Sequence, residues 1–541
     1  MRSRKLQILC AFVVALSAML IFSNAMNNGF VWDDDETLPF AAGIERVPSW
    51  RQIFLSPVDR LYRPLRTLSL IADYYAGGGG ASAYHLTNIL LHSSNSVLVF
   101  MLVIQLSSSI HIALFSSLLF AVHPLHVETV SWISGGRADL LSCFFGLLAI
   151  VFYMLVREKV FSRKDAKHAK KILYMFSLIS FCLALLSKEN AAVIPVLLLC
   201  LTPFQKMDRF IRKSAITIVP FFIVLVLYVW LRTSAIAETQ QMFGYHGGSL
   251  RTTLITMSTV VVSYITDALM PVRLCPLYTV KIQQGFSISV ILAVALIIAL
   301  TMAIFTALFR GKLWGFGIAW FVICILPVSN IIPINALKAD RFMYFPSIGI
   351  FIIISCFLHR VLLGTNGVRE NKPAYATAFF ALTAACVILL AALTVRTIPI
   401  WKNNYSLWTH TTHCAPDSWI AFNNLGTESY SRGDSNGAIT ALKKAAQLNP
   451  NREIIYNNLA DIYGVTGNYS LALENLEISA GLNPDNAETY YKMGFALEKS
   501  GKFQEAQKNY EIALAKSGDN NKLRAASQNA IRHLNESRKI D

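Results

Sequence analysis

Charge is what this 541-residue sequence has least of: 15% of its residues are Asp, Glu, Lys or Arg, against 54% apolar, and its mean hydropathy is +0.47. Soluble domains carry roughly a quarter charged residues, so the scarcity excludes an ordinary soluble enzyme and marks a polytopic membrane protein. A disulfide framework is lacking too. Seven of the nine cysteines, Cys10, Cys143, Cys182, Cys200, Cys324, Cys356 and Cys386, fall inside apolar runs, only Cys275 and Cys414 fall outside, and no metal-ligand spacing appears. No small-x-small cleavage site precedes Asn27 convincingly, so the apolar stretch after the basic N-terminus reads as a retained first helix. The 32 acids are outnumbered by 48 Lys and Arg. Those cations sit in short clusters between apolar runs, which is the positive-inside pattern and not a nucleic-acid stripe.

The basic clusters are residues 2–5, 157–171, 206–213, 310–312 and 360–372, all expected to face the cytoplasm. Apolar stretches long enough for spans lie near 6–25, 85–107, 109–122, 138–156, 172–187, 190–203, 214–231, 287–309, 314–333, 341–358 and 374–394. That predicts a polytopic bundle of eleven helices over residues 1–400, its outward loops at 26–84, 123–137, 188–190, 232–286 and 334–340. Counting 253–270 as a crossing would turn everything after it to the other side, so it reads as re-entrant or interfacial.

From about residue 415 a period of 34 appears: Pro416, Pro450 and Pro484; Gly433, Gly467 and Gly501; Ala438, Ala472 and Ala506; Phe422, Tyr456 and Tyr490. This is the tetratricopeptide repeat, or TPR, a pair of helices whose small residues allow close approach while aromatics fill the space between. Three repeats are expected over 415–518, followed by a polar capping helix at 519–541. Such an α-solenoid serves peptide capture or a purely structural role equally well.

The chemistry is in the outward loops. Phe30-Val31-Trp32-Asp33-Asp34-Asp35-Glu36 puts four consecutive acids just beyond the first helix, and ionisable groups near lipid need water, a counter-ion or a task. Tyr62-Arg63-Pro64-Leu65 shares that loop. The next loop carries His123-Pro124-Leu125-His126-Val127-Glu128 and Gly136-Arg137-Ala138-Asp139. Ser187-Lys188-Glu189 and Asp340-Arg341-Phe342-Met343-Tyr344-Phe345-Pro346 form later turns. Guanidinium and ammonium groups match phosphate oxygens, and a carboxylate can take the proton of an acceptor hydroxyl. That pairing suits glycosyl transfer from a lipid-phosphate sugar. Each candidate also has a plainer use: solvated acids fixing orientation, a Lys188–Glu189 helix-end pair, histidines tying helices together, a snorkelling Arg341. His123, His126 and Glu128 have the look of a metal trio but lack a fourth ligand, so no metal ligand is assigned and a divalent cation is left open.

Taken together, these motifs resemble the transmembrane and tetratricopeptide-repeat O-mannosyltransferase-like family of the GT-C glycosyltransferase superfamily, and the likeness runs through nearly the whole chain. The resemblance implies a many-helix membrane core that moves a sugar, mannose in the eukaryotic members, from polyprenyl phosphate to a protein hydroxyl on the non-cytoplasmic side, with inversion expected. It maps the acidic motif of the first outward loop to Asp33 and Asp34, one of them the general base. Arg63, Glu128, Arg137, Asp139, Lys188, Glu189 and Arg341 become substrate-binding candidates. The implied partners are the lipid-linked donor, an acceptor polypeptide held by the repeats, and the bilayer, with no nucleic acid. Three repeats are fewer than animal members carry, which suggests a bacterial inner-membrane protein with periplasmic repeats, or a lumenal arrangement in the endoplasmic reticulum of a eukaryote. The competing class is a non-catalytic membrane-anchored scaffold; a transporter would need paired broken helices in corresponding halves, which are missing.

Overall fold

The computed structural model describes residues 2–38, 47–55, 61–157, 166–202, 210–236, 244–308, 310–364 and 373–537. Much of the basic runs 157–171, 206–213 and 360–372, parts of the loops 26–84 and 232–286, and the last four residues of the capping segment lie outside them, as does the side chain of Asp35. The protein is all-α and divides into two compact units, Met1–Asn403 and Asn404–Asp541.

In the first unit every stretch expected to span is helical, though not all are full length. Eight helices among the described residues are long and apolar enough to cross a membrane, and the bent pair Ile110–Val122 with Pro124–Ser131 makes up to nine. Glu189–Cys200, Leu313–Val328 and Ser347–Leu363 are shorter apolar helices. Ala81–Ser107 and Ile133–Arg157 form the centre of the bundle, and Ile288–Leu308 and Phe210–Ile236 turn most of their apolar surface outward. Helices apolar on every side with such exposed faces are what a lipid-facing position demands.

Leu250–Leu269 is one unbroken 20-residue helix, so the re-entrant alternative for 253–270 falls. Extended chain runs beside it. The Gln283 amide donates to Thr256 Oγ1 (3.0 Å), His246 Nε2 meets the Ile334 carbonyl (2.8 Å), and the Ala339 amide donates to Tyr264 Oη (3.0 Å). By length and composition this helix is one of the candidate membrane spans.

What positions the candidate site is the break after Val122. Pro124 cannot continue the Ile110–Val122 helix, and His123 Nδ1 accepts the Leu125 amide (3.2 Å) to start a tight turn. The five-residue helix Val127–Ser131 follows, wholly buried, and Trp132 is extended before Ile133–Arg157 begins. Gly136 makes this fold-back possible: a Cβ there would sit 1.8 Å from the Thr129 carbonyl oxygen.

The second unit stacks three antiparallel pairs, Trp419–Ser431 with Ser435–Leu448, Glu453–Val465 with Tyr469–Leu482, and Ala487–Lys499 with Phe503–Lys516. Ala438, Ala472 and Ala506 are buried between helices, and Gly433, Gly467 and Gly501 take the left-handed turn conformation (φ +84, +79 and +76°). Asn521–Ser537 closes the end by placing Leu534 against Leu497, Ala506 and Tyr510.

Candidate functional site

Asp33 and Asp34 stand at the start of the single-turn helix Asp34–Thr37, and one residue clamps both. Ser134, in the first turn of Ile133–Arg157, donates its amide to Asp34 Oδ1 (2.8 Å) and its hydroxyl to Asp33 Oδ1 (3.1 Å). The Val31 amide donates to Asp34 Oδ2 (3.0 Å). A helix N-terminus favours negative charge, yet Asp34 is fully buried, and that burial, reinforced by the charge of Asp33, outweighs the hydrogen bonds and pushes its carboxyl up to about 7. Asp34 is thus poised to exchange a proton near neutrality. Asp33 is partly exposed.

Beside the acids is an aromatic stack that sequence reasoning missed. Trp32 lies parallel to Trp132 (centroids 4.9 Å) and to Trp401 (6.4 Å), and it holds its place with a left-handed backbone (φ +62°). A bulky residue in that region is strained and persists only where its surroundings enforce it. The Arg341 guanidinium lies 4.9 Å over the Trp132 ring. Nothing periodic announces Trp132 or Trp401; only the adjacency of Trp32 to the acids was a signal.

Six of the seven binding candidates find one another. Arg63 grips Glu189 through two bonds (2.6 and 3.2 Å), Lys188 Nζ meets both oxygens of Asp139 (2.7 Å each), and Arg341 pairs with Glu128, whose other oxygen accepts the Arg341 amide (2.9 Å). Arg137 is different. It is fully buried, pairs with Asp73 (2.6 Å), and donates to Asn88 Oδ1, Ser69 Oγ and the Tyr84 carbonyl (2.6–2.8 Å). Its guanidinium is committed to holding three helices and has little left for a ligand. Asp73 and Ser69, on Pro64–Gly77, were not foreseen.

The turn bearing Asp340 is anchored by a second unforeseen group. Tyr278 donates to Asp340 (2.6 Å), and Lys338 pairs with Asp267 (2.6 Å) while its ammonium lies 4.1 Å over the Tyr278 ring. Burial, then the charge of Glu128, pushes the Asp340 carboxyl well up.

His123, His126 and Glu128, to which no metal was assigned, each have protein partners: His123 Nε2 meets the Ala268 carbonyl (3.1 Å), His126 binds the Phe120 carbonyl and Ser347 Oγ (2.8 and 3.1 Å), and Glu128 serves Arg341. Among the described residues no group of three His, Cys, Asp or Glu is placed to hold a metal ion.

Comparison with known proteins adds to this geometry. A family model described as TPR repeat matches residues 426–467. Protein O-mannosyl-transferase TMTC4 of Homo sapiens is 32% identical over 206 residues, 34% of this chain and 27% of that protein. Protein O-mannosyl-transferase F38B6.6 of Caenorhabditis elegans is 24% identical over 481 residues, 82% of this chain and 63% of that protein. The chain therefore spans under two thirds of these curated relatives. Among solved structures, the first TPR of Spaghetti (RPAP3) bound to an HSP90 peptide is 21% identical and covers 22% of this chain and 91% of that one, with a TM-score of 0.21. The chain is thus similar, over 34% of its length in one case and 82% in the other, to proteins named protein O-mannosyl-transferase, and it carries both apolar helices and a TPR repeat.

Proposed function

We propose that the protein is a membrane glycosyltransferase of the GT-C type, moving a mannose-like sugar from polyprenyl phosphate to a protein hydroxyl on the non-cytoplasmic face. The observation that carries this reading is the buried Asp34 carboxyl, raised to about 7 beside Asp33. A base of that pKa is about half ionised at neutral pH, so it can both accept and release a proton there. The carboxylate takes the acceptor hydroxyl's proton as its oxygen bonds to the anomeric carbon. The anomeric C–O bond to phosphate breaks, and its electron pair leaves with polyprenyl phosphate, whose charge is matched by cations. Direct displacement of this kind inverts the anomeric centre.

Arg341 is suited to meet that charge where it faces Trp132, and Arg63 and Lys188 form a second cationic group. Glu128, Asp139 and Glu189 orient those cations, and Arg137 holds the frame. The names of the relatives support the reaction class. The repeats are proposed to hold the acceptor polypeptide, and the compartment is proposed to be the periplasm, or the lumen in a eukaryote.

The test is transfer of radiolabelled sugar from polyprenyl phosphate to membrane protein, comparing wild type with Asp33→Asn and Asp34→Asn at equal expression. Transfer abolished in Asp34→Asn is expected. If wild type transfers nothing with several sugars, the enzyme reading fails and the membrane-anchored scaffold takes its place.

A further inference from the structure

The turn Ile398–Trp401 follows the apolar helix Pro373–Thr397 at the far end of the first unit, yet it meets the acid loop at three points. The Gly29 amide donates to the Lys402 carbonyl (2.9 Å), the Asn28 side-chain amide reaches the Ile398 carbonyl (3.5 Å), and the Trp401 ring lies parallel to Trp32 (6.4 Å). The turn's own seat is firm. Ile398 is fully buried and Trp401 nearly so, and Thr394, one helical turn earlier, donates its hydroxyl to the Val122 carbonyl (2.6 Å) at the last residue before the helix break.

Trp401 touches both halves of the clamp. Trp32 immediately precedes Asp33 and Asp34. Trp132, parallel to Trp401 at 6.2 Å, stands two residues before Ser134, whose amide and hydroxyl hold the two acids. Trp32 and Trp132 also stack on one another (4.9 Å), so the three rings form a triangle in which Trp401 braces each of the other two. Trp32 needs that brace, because a bulky residue keeps a left-handed backbone (φ +62°) only where its neighbours over-determine it. Flat rings are suited to the task, since near-parallel packing fixes a plane as well as a distance.

We propose that Trp401 is a positioning residue for the acid pair: it braces the Trp32 and Trp132 rings and, with the Lys402 carbonyl on Gly29, keeps Asp33 and Asp34 seated on Ser134. Its part in catalysis rests on the glycosyl-transfer reading; the bracing rests on the contacts. Proton abstraction demands close placement of the base, so the rate depends on a ring that stands behind the reacting groups. Asn404 opens the next helix two residues after Lys402, which makes the segment leading into the second unit part of what holds the acids.

The experiment compares full-length wild type, Trp401→Phe and Trp401→Leu in phosphatidylcholine nanodiscs. Hydrogen exchange is followed by mass spectrometry over residues 28–38 and 131–136, with residues 85–107 as the internal reference, and transfer kinetics are measured on the same preparations. Leu keeps apolar volume without the plane, and Phe keeps a plane. In Trp401→Leu, exchange over the two clamp segments should rise about tenfold or more while the reference stays within about twofold, and Trp401→Phe should restore most of the protection. The kcat for transfer should fall about ten- to a hundredfold in Trp401→Leu, with the donor and acceptor KM nearly unchanged. Asn28→Ala, which drops only the contact with the Ile398 carbonyl, should loosen the same two segments by a smaller factor. Unchanged exchange in both Trp401→Leu and Asn28→Ala overturns the brace. Exchange that rises equally over 85–107, with Phe no better than Leu, overturns it too, because Trp401 would then be ordinary core. The exchange result stands without any sugar transfer. Loosened clamp segments in a protein that transfers nothing sink the transferase and keep the brace, while a loosened clamp with unchanged kcat keeps the transferase and sinks the positioning role of Trp401.

Discussion

In the repeat unit the buried positions are filled mostly by small and apolar residues, Ala438, Leu442, Ala445, Ile455, Leu459, Ala472 and Leu476 among them, with a few neutral polar groups such as Asn457 and Thr489 and, among the described residues, no buried charge. In Met1–Asn403 the buried residues include Asp34, Asp73, Arg137, Asp139, Lys188, Glu128 and Asp340. The repeats bury apolar surface that water would reject, and each helix pair solves that problem alike. The first unit buries charge in an environment where charge is costly; five of these seven groups are ion-paired, while Asp34 and Asp340 are held by neutral donors. Stability alone does not call for such pairs, since apolar residues of equal volume often serve as well. Their presence points to a task, whereas the repeat core needs no explanation beyond folding.

The sharpest break in that comparison is Asp34→Asn. General-base loss is expected to cut transfer by about 10²–10⁴-fold. In wild type, transfer should rise with pH through about 7, because the protonated carboxyl cannot accept the hydroxyl's proton. The stability sign is opposite. A carboxyl raised from 3.8 to about 7 holds its proton in the folded chain where the unfolded chain has lost it, so its contribution is full below 3.8 and is lost as pH rises through 7. Asp34→Asn should therefore be inactive yet at least as stable as wild type at pH 8, by thermal unfolding in detergent. A destabilised variant would mean that Asp34 is structural.

Arg137 tests the other meaning of a buried charge. Arg137→Ala strands Asp73 and leaves Asn88 and Ser69 without their donor, and it should cost about 3–5 kcal/mol of stability. Arg137→Lys should rescue little, since an ammonium cannot reach several fixed acceptors in one plane. Transfer per folded molecule should change less than folding yield; a fully folded, inactive variant would return Arg137 to the ligand set.

How far this was legible depended on periodicity. The 34-residue repeat was read residue by residue, since each copy meets the same steric demand, and Gly426 and Gly494 sit where a Cβ would come within 2.6 and 2.7 Å of Leu442 and Tyr510. The membrane helices were legible from apolar length, though short ones such as Leu313–Ile325 lost their boundaries. In the site, charged candidates were found because charge is rare in an apolar chain, but their pairing was not, because Arg63 and Glu189 are 126 residues apart. Trp132, Trp401, Ser134 and Lys338 were missed for a related reason: aromatic rings, hydroxyls and isolated lysines are common near membrane surfaces, and only the fold distinguishes these.

A milder perturbation belongs to the repeats. Gly494→Ala pushes a methyl into the Tyr510 ring and should cost about 1–3 kcal/mol. Transfer to a short acceptor peptide should be unchanged at temperatures where the unit stays folded. A loss with full-length acceptor alone would tie the repeats to acceptor capture.

The smallest expected effect is the most specific to the site. Ser134→Ala removes one hydroxyl and leaves the amide that holds Asp34, so the fold and the clamp's main contact persist. A hydrogen bond to an ionised carboxylate is worth about 1.5–3 kcal/mol when buried and less where the partner is partly exposed. The hydroxyl favours the ionised form, so its loss should move the acid limb of the pH–rate profile upward by roughly half to one unit, at about 1.4 kcal/mol per unit. At pH 8.5 the variant should approach wild-type transfer, and at pH 6.5 it should fall several-fold behind. A uniform loss at all pH values would mean that Ser134 positions a carboxylate without tuning it, and no change at any pH would mean that the two acids are held apart from the chemistry altogether.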